Sequence, residues 1–355
     1  MPRPSRPLRA AIAGYGLAGA DFHAPLIGST PGLEVGAIVT SNPERASRAS
    51  SEHPHATVVA GLDEALATGD LDLAVIATSN RVHAEQARAA LDAGLAVVVD
   101  KPLTPTAAEA RDLVERAARA GLPLTVFLNR RWDSDHLTVR RLIDAGELGD
   151  VHRYESRFER WRPDPKPGAW REETPPEEGG GLLLDLGPHL VDQALQLFGP
   201  ASSVRGEIAS RRGGADDDDF VAIEHASGVV SHLWMSVLAE EPGPRLRVLG
   251  DRAEFVVDGL DGQEAKLRAG ARPSDGAEWG REPRESWGRL LRGKDSEPVE
   301  PESGDWPRFY AELERSLREG GPPPVDPLDA VAGLEVLEAA RDSAASGETA
   351  RPGRG

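Results

Sequence analysis

The chain has 355 residues, 39% hydrophobic and 28% charged, with no cysteine and a formal net charge of −18. That length points to two globular domains, and the missing cysteines exclude disulfides, thiolate metal sites and cysteine nucleophiles, as in a cytoplasmic enzyme. The acidic balance argues against nucleic acid and anionic membranes as partners, no apolar run reaches bilayer length, and Met1 to Arg9 reads as no signal peptide.

From Leu8 to about Asn129 short apolar strands alternate with helical stretches. Strands are predicted at Leu8–Ala13, Glu34–Val39, Leu73–Ala77, Ala96–Val99 and Leu124–Phe127, and helices at Ala84–Ala93 and Pro105–Ala120. Gly94 and Gly121 stand where helices stop. The alternation implies a parallel sheet with right-handed crossovers, a doubly wound domain over residues 1–129.

Residues 130–355 have a different texture. A helix is expected at Leu137–Asp144, a strand at Val151–Arg160, a loop over Arg162–Gly181 and an apolar helix at Asp185–Phe198. Strands follow at Ser203–Ser210, Phe220–His225, Val229–Val237, Arg245–Leu249 and Ala253–Val257, which suggests a mainly antiparallel sheet. The acidic run Asp216–Asp219 lacks the alternation and glycine of a calcium loop and reads as a solvated loop. Asp258–Gly304 reads as long loops, Trp306–Glu319 and Pro327–Ser346 as helices returning toward the first domain, and Gly347–Gly355 as a loose tail.

Four stretches carry chemistry. Gly14-Tyr15-Gly16-Leu17-Ala18-Gly19 follows the first strand, the context in which a GxGxxG loop holds a dinucleotide. Gly14 would make the turn, Gly16 would let amides approach the pyrophosphate, and Gly19 would let helix and strand pack. The second strand ends in Thr40-Ser41-Asn42, with Arg45 close behind and no acid for a ribose 2′-hydroxyl. That favours NADP, while Glu44 keeps NAD use open. Thr78-Ser79-Asn80, after the third strand, either meet the dinucleotide or open a helix capped by Asn80. His83, one turn further, reads as structural rather than catalytic.

Val97-Val98-Val99-Asp100-Lys101-Pro102 ends a buried strand on a lysine, placing a cation at the ligand face. Pro102 stops the strand and admits a cis bond. In Gly179-Gly180-Gly181-Leu182-Leu183-Leu184-Asp185-Leu186-Gly187-Pro188-His189 a helix is expected from Asp185, with Pro188 tolerated in its first turn. Asp185 and His189 then share a face, either as a proton-transfer pair or as an N-cap with a satisfied histidine. His189 and Asp192 are too few ligands for a metal.

Together these motifs resemble the Gfo/Idh/MocA family of NAD(P)-dependent oxidoreductases. Asp100-Lys101-Pro102 is similar to its Glu-Lys-Pro motif, with Asp100 as a departure from the glutamate, and Asp185 with His189 is similar to its Asp-x-x-x-His. Asn129-Arg130-Arg131-Trp132-Asp133, Trp170-Arg171 and Asp185–His189 most resemble the NADP-dependent scyllo-inositol dehydrogenase branch. The resemblance implies a Rossmann domain, then an α/β domain whose open sheet carries the substrate face and the interface of a homodimer or homotetramer. It implies oxidation or reduction of a polyol or sugar by Lys101, Asp185 and His189.

Cofactor contacts are expected from Gly14 to Gly19, Thr40, Ser41, Asn42, Arg45, Thr78, Ser79, Asn80, His83, Asp100, Lys101, Pro102 and Asn129. Arg130, Trp132, Asp133, Tyr154, Arg157 and Trp170 are candidates for the substrate wall, each with a structural role as the alternative. Another sugar, an anhydro-sugar or a dihydrodiol would use the same catalytic set. A non-catalytic NADP-binding regulator would not need Lys101, Asp185 and His189 together.

Overall fold

The computed structural model describes residues 6–166, 168, 170–276 and 278–353. Six strands come first: β1 (Leu8–Ala13), β2 (Leu33–Val39), β3 (Thr57–Val59), β4 (Leu73–Ile76), β5 (Ala96–Asp100) and β6 (Leu124–Phe127). They pair in parallel in the order β3-β2-β1-β4-β5-β6. Strand order reverses between β1 and β4, and the carboxyl ends of those strands open the ligand crevice of a doubly wound sheet. Every residue of β4 and β6 is buried, as expected where helices cover both faces. The expected strands lie here, but β3 is absent from the sequence reading because three residues are too few to show a period.

The connections are a π-helix at Leu17–His23 continued by α1 (Ala24–Gly28), then α2 (Pro43–Glu52), α3 (Leu62–Leu66), α4 (His83–Asp92) and α5 (Ala107–Ala120). Thr106 caps α5 by accepting from the Glu109 amide, and Gly121 ends it at φ +65°.

The second half begins with a 3₁₀ turn at Asn129–Trp132 and α6 (Ser134–Asp144), followed by β7 (Val151–Glu159), α7 (Trp170–Glu173) and α8 (Leu182–Phe198). Strands β8 (Ala201–Ala209), β9 (Asp218–His225), β10 (Val230–Ser236), β11 (Leu246–Gly250) and β12 (Glu254–Val257) follow. The region expected as loops instead holds α9 (Gln263–Arg268) and a hairpin, β13 (Gly288–Arg292) with β14 (Asp295–Val299). Polar residues and a proline hide that hairpin from pattern reading. The sheet order is β14-β13-β12-β11-β7-β10-β9-β8, antiparallel except for β7 beside β10.

α10 (Pro307–Glu319) and α11 (Pro327–Ser346) complete the fold. α11 packs against β8 and α8 of the second half and against α5 and β6 of the first, tying the two sheets together. At Gly206 on β8, a Cβ would lie 2.1 Å from the Ala340 carbonyl oxygen of α11, so only glycine permits this approach. The tail is not loose at Ala350, which exchanges two 2.9 Å backbone hydrogen bonds with Val204. No helix among the described residues is long and apolar enough to cross a membrane.

The acidic run is also not a solvated loop. Asp216, Asp217 and Asp219 are buried. Asp217 accepts from the Arg211 and Arg212 amides and from Arg212 Nε. Asp216 holds the start of α8: the Leu183 amide donates to its Oδ1 at 2.7 Å and the Leu182 amide to its carbonyl at 2.9 Å. Orphan amides at a helix N-terminus favour a carboxylate there, which explains why Asp216 turns inward. α8 therefore begins three residues before the expected start, and Pro188 lies inside the helix rather than in its first turn.

Candidate active site

The glycine loop follows β1 directly. Gly14 has φ +94°, and a Cβ there would lie 2.5 Å from the Ala77 carbonyl oxygen beyond β4. At Gly19 a Cβ would lie 1.9 Å from the Gly14 carbonyl oxygen. Side chains are excluded at both positions, which leaves backbone amides free to approach an anion. Tyr15 turns away from this loop: its ring is buried and its hydroxyl donates a 2.7 Å hydrogen bond to Glu52 at the end of α2. Leu17 is exposed beside Gly16 and Ala18.

At the end of β2, Asn42 is the N-cap of α2 and accepts from the Arg45 amide, while Thr40 accepts a 3.4 Å hydrogen bond from the Asn42 amide. Ser41 is exposed beside them. The Arg45 guanidinium lies over the loop, with its Nη1 3.7 Å from where a Gly16 Cβ would stand. These residues fit a dinucleotide: a cradle closed to side chains, no carboxylate at the ribose position, and a cation beside it.

Beyond β4, Thr78 donates to Gln86 at 2.7 Å, and Ser79 precedes a 3₁₀ turn without capping it through its side chain. Asn80 is not a cap either; its buried amide donates to the Gly179 carbonyl, fastening the glycine run to the first sheet. His83 places Nδ1 2.9 Å from the Pro102 carbonyl and Nε2 3.3 Å from the Thr78 carbonyl. Burial lowers its pKa, so the ring is neutral near pH 7. It is a brace for the Lys101 loop.

The Lys101–Pro102 bond is cis. Asp100 accepts from the Lys101 amide at 2.8 Å. The Lys101 ammonium crosses to α8 and donates to Asp185, at 2.9 Å to Oδ1 and 2.5 Å to the backbone carbonyl. Arg171 Nε lies 3.2 Å from the same Oδ1. Burial opposes the Asp185 charge, but Lys101 and then Arg171 hold its carboxyl well below the usual carboxylate range.

His189 stands one turn further along α8 and is 7% exposed. Its Nδ1 is buried and has no hydrogen-bond partner among the described residues. Burial, reinforced by Lys101 and Arg130, lowers its pKa well below the ordinary value, so the ring is neutral near pH 7. Asp185 does not hold His189; its oxygens serve Lys101 and Arg171. The ring instead stands at a steep angle to Phe158, centroids 6.3 Å apart, and the guanidiniums of Arg130 (4.9 Å) and Arg245 (4.3 Å) lie over Phe158. Asp192 is engaged by Arg131 through two hydrogen bonds, at 2.9 and 2.5 Å. A cation, an ionised carboxylate and a neutral imidazole with an unpartnered nitrogen can together orient a hydroxyl and accept its proton.

The proposed wall is only partly here. Trp170 stacks with Arg171 at 4.5 Å, beside Asp185. Asn129 and Arg130 are buried at the junction, where Arg130 bonds Asp133 and Glu264. Trp132 packs on Phe309, and Asp133 is wholly buried, accepting from Trp306 Nε1 at 2.7 Å. Tyr154 and Arg157 are corrections. Tyr154 is a core ring against Phe198, with none of its surface exposed. Arg157 points to the opposite face of the sheet, because side chains alternate along β7, and it covers Trp234 at 3.9 Å. Arg171 and Asp216 were outside the expected site. Arg171 stood in a noted motif, but only the fold brings it to Asp185.

A six-stranded dinucleotide sheet whose β5 end carries a lysine to a carboxylate and a histidine on α8 defines an NAD(P)-binding oxidoreductase. Residues 8–128 match the family model described as an oxidoreductase family with an NAD-binding Rossmann fold, and residues 136–256 match the GFO/IDH/MocA C-terminal domain. The chain belongs to the Gfo/Idh/MocA family. It is 34% identical over 343 residues to scyllo-inositol 2-dehydrogenase (NADP(+)) IolW of Bacillus subtilis, covering 95% of this chain and 93% of that protein. It is 39% identical over 345 residues to the uncharacterized oxidoreductase YdgJ of Escherichia coli, covering 95% and 96%. The solved structure of Bacillus subtilis yvaA superposes with a TM-score of 0.91 at 32% identity, covering 98% of this chain and 99% of that one.

Proposed function

We propose that this protein is a dehydrogenase or reductase acting on a secondary hydroxyl or ketone of a polyol or sugar, such as an inositol, with NADP in preference to NAD. When bound, the nicotinamide would supply the hydride acceptor or donor. The glycine loop would hold the pyrophosphate on backbone amides, and Arg45 would meet a 2′-phosphate that an acid at that position would repel. Lys101 would donate to the substrate oxygen and stabilise negative charge developing there. His189 would take the hydroxyl proton on a ring nitrogen, for which its neutral state prepares it. Asp185, fixed by Lys101 and Arg171, would accept from an adjacent substrate hydroxyl.

The observation that carries this reading is the contact of Lys101 with Asp185 one helical turn from a neutral, unpartnered imidazole. The relative IolW, described as NADP-dependent and acting on scyllo-inositol, supports both the cofactor and the substrate class. The lack of cysteine suits a cytoplasmic enzyme. The sheet face bearing Phe220, His232, Trp234 and Arg157 suits a homodimer or homotetramer. Absorbance at the reduced-nicotinamide band with a panel of inositols and aldoses tests the reading. Turnover of at least one polyol, faster with NADP than with NAD, is expected, and no turnover on any of them would defeat it.

A further inference from the structure

Arg160 stands one residue past the end of β7. Its backbone still follows the sheet: its amide donates to the Ser236 carbonyl at 2.9 Å, and its carbonyl accepts from the Ala239 amide at 3.2 Å. Strand alternation therefore sets its side chain on the face of Phe158, the ring that meets His189. Asp185, Glu172 and Glu264 all lie within range of its charge, as does Arg162 of like sign. Each of these acids already holds another cation: Asp185 holds Lys101 and Arg171, Glu172 holds Arg212, and Glu264 holds Arg130.

Among the described residues, none of these acids is left to pair with Arg160. It makes no hydrogen bond or ion pair with a described side chain, and its Nε is buried without an acceptor. A buried charged donor left unmade is costly, so such a group is retained where something else supplies the acceptor. The guanidinium is a planar fork, shaped for two oxygens side by side rather than for one.

Resting on the oxidoreductase reading, we infer that Arg160 is a substrate-binding residue whose guanidinium takes two adjacent substrate oxygens. Those oxygens are either a vicinal diol of a neutral polyol or the carboxylate of a sugar acid. Lys101 and His189 attend the reacting carbon, and Arg160 fixes the rest of the ring relative to it. A neutral residue at position 160 would leave the proton-transfer pair in place but loosen its register with the substrate.

The test uses the full chain saturated with NADPH and titrated calorimetrically with scyllo-inositol in one arm and D-glucuronate in the other. Wild type is compared with Arg160→Met and Arg160→Lys. At least one probe should bind wild type and lose about 10- to 100-fold in affinity with methionine, with lysine recovering only part of the loss. NADPH affinity should stay within about two-fold in both variants, which separates substrate binding from a general structural role. The arm with the larger loss identifies the oxygen pair. Equal affinity in wild type and Arg160→Met, or binding of neither probe to wild type, would overturn the inference. The oxidoreductase reading fails separately, by absence of turnover in the wild-type polyol panel.

Discussion

The two faces of the crevice are built from different materials. On the first sheet, the dinucleotide side rests mainly on backbone, with glycines that admit no side chain at Gly14 and Gly19 and one cation, Arg45, beside them, and its buried histidines, such as His23 and His83, are neutral. On the second, the substrate side uses long charged side chains: Arg171 meets Lys101, which reaches across from the end of β5, on Asp185, and Arg130 and Arg245 both lie over Phe158. A backbone site tolerates almost no change where a Cβ would intrude, whereas a side-chain site can lose one member and keep its shape. The first recognises a constant cofactor, and the second can be retuned residue by residue.

The largest effect that would sharpen this contrast is expected at Gly19→Ala. Its Cβ would stand 1.9 Å from the Gly14 carbonyl oxygen, and no flexible neighbour can yield. NADPH affinity by fluorescence titration should fall by more than about 100-fold, since the amide cradle cannot form. Unchanged affinity would mean the loop is not the pyrophosphate site.

A smaller effect is expected at Arg45→Ala, which removes a side chain and leaves the backbone intact. The ratio of kcat/KM with NADP to that with NAD should fall about 10-fold, the scale of one charge-assisted hydrogen bond. An unchanged ratio would remove Arg45 from the cofactor site.

The smallest effect concerns the neutral rings. His23 shares a 2.6 Å hydrogen bond with the Tyr310 hydroxyl, and burial lowers its pKa to about 4. Its folded pKa lies below the unfolded value of about 6.5, so the unfolded chain binds more protons between these values and stability falls as pH drops through that window. The loss is on the order of 1 kcal/mol per pH unit for one such histidine. Thermal melts from pH 7 to pH 4.5 should therefore fall less steeply for His23→Gln than for wild type. Parallel slopes would show that His23 does not titrate differently in the folded state.

The same contrast explains what was legible in the sequence. The glycine loop, the five longer strands of the first sheet and Lys101 at the end of β5 announce themselves, because periodicity and fixed glycine spacing are local signals. Asp185 and His189 were legible as helix neighbours on one face, while the partners that hold Asp185, Lys101 and Arg171, come from the fold. Arg171, Arg160 and Asp216 were not legible, since each acquires meaning from a partner that only the fold supplies. Arg157 was misplaced for a related reason: one position along a strand exchanges the site face for the opposite face. The acidic run looked solvated because charge runs are usually exposed, and only the start of α8 above it reveals a cap.

The central proposal is that Lys101 and His189 perform chemistry on a substrate while the first sheet holds the cofactor without them. NADPH titration and steady-state turnover, measured together on wild type, Lys101→Ala and His189→Ala with the best polyol of the panel, test it most directly. NADPH affinity should stay within about three-fold while turnover falls by about 100-fold or more in each variant. Near-normal turnover in either variant would contradict the role given to that residue.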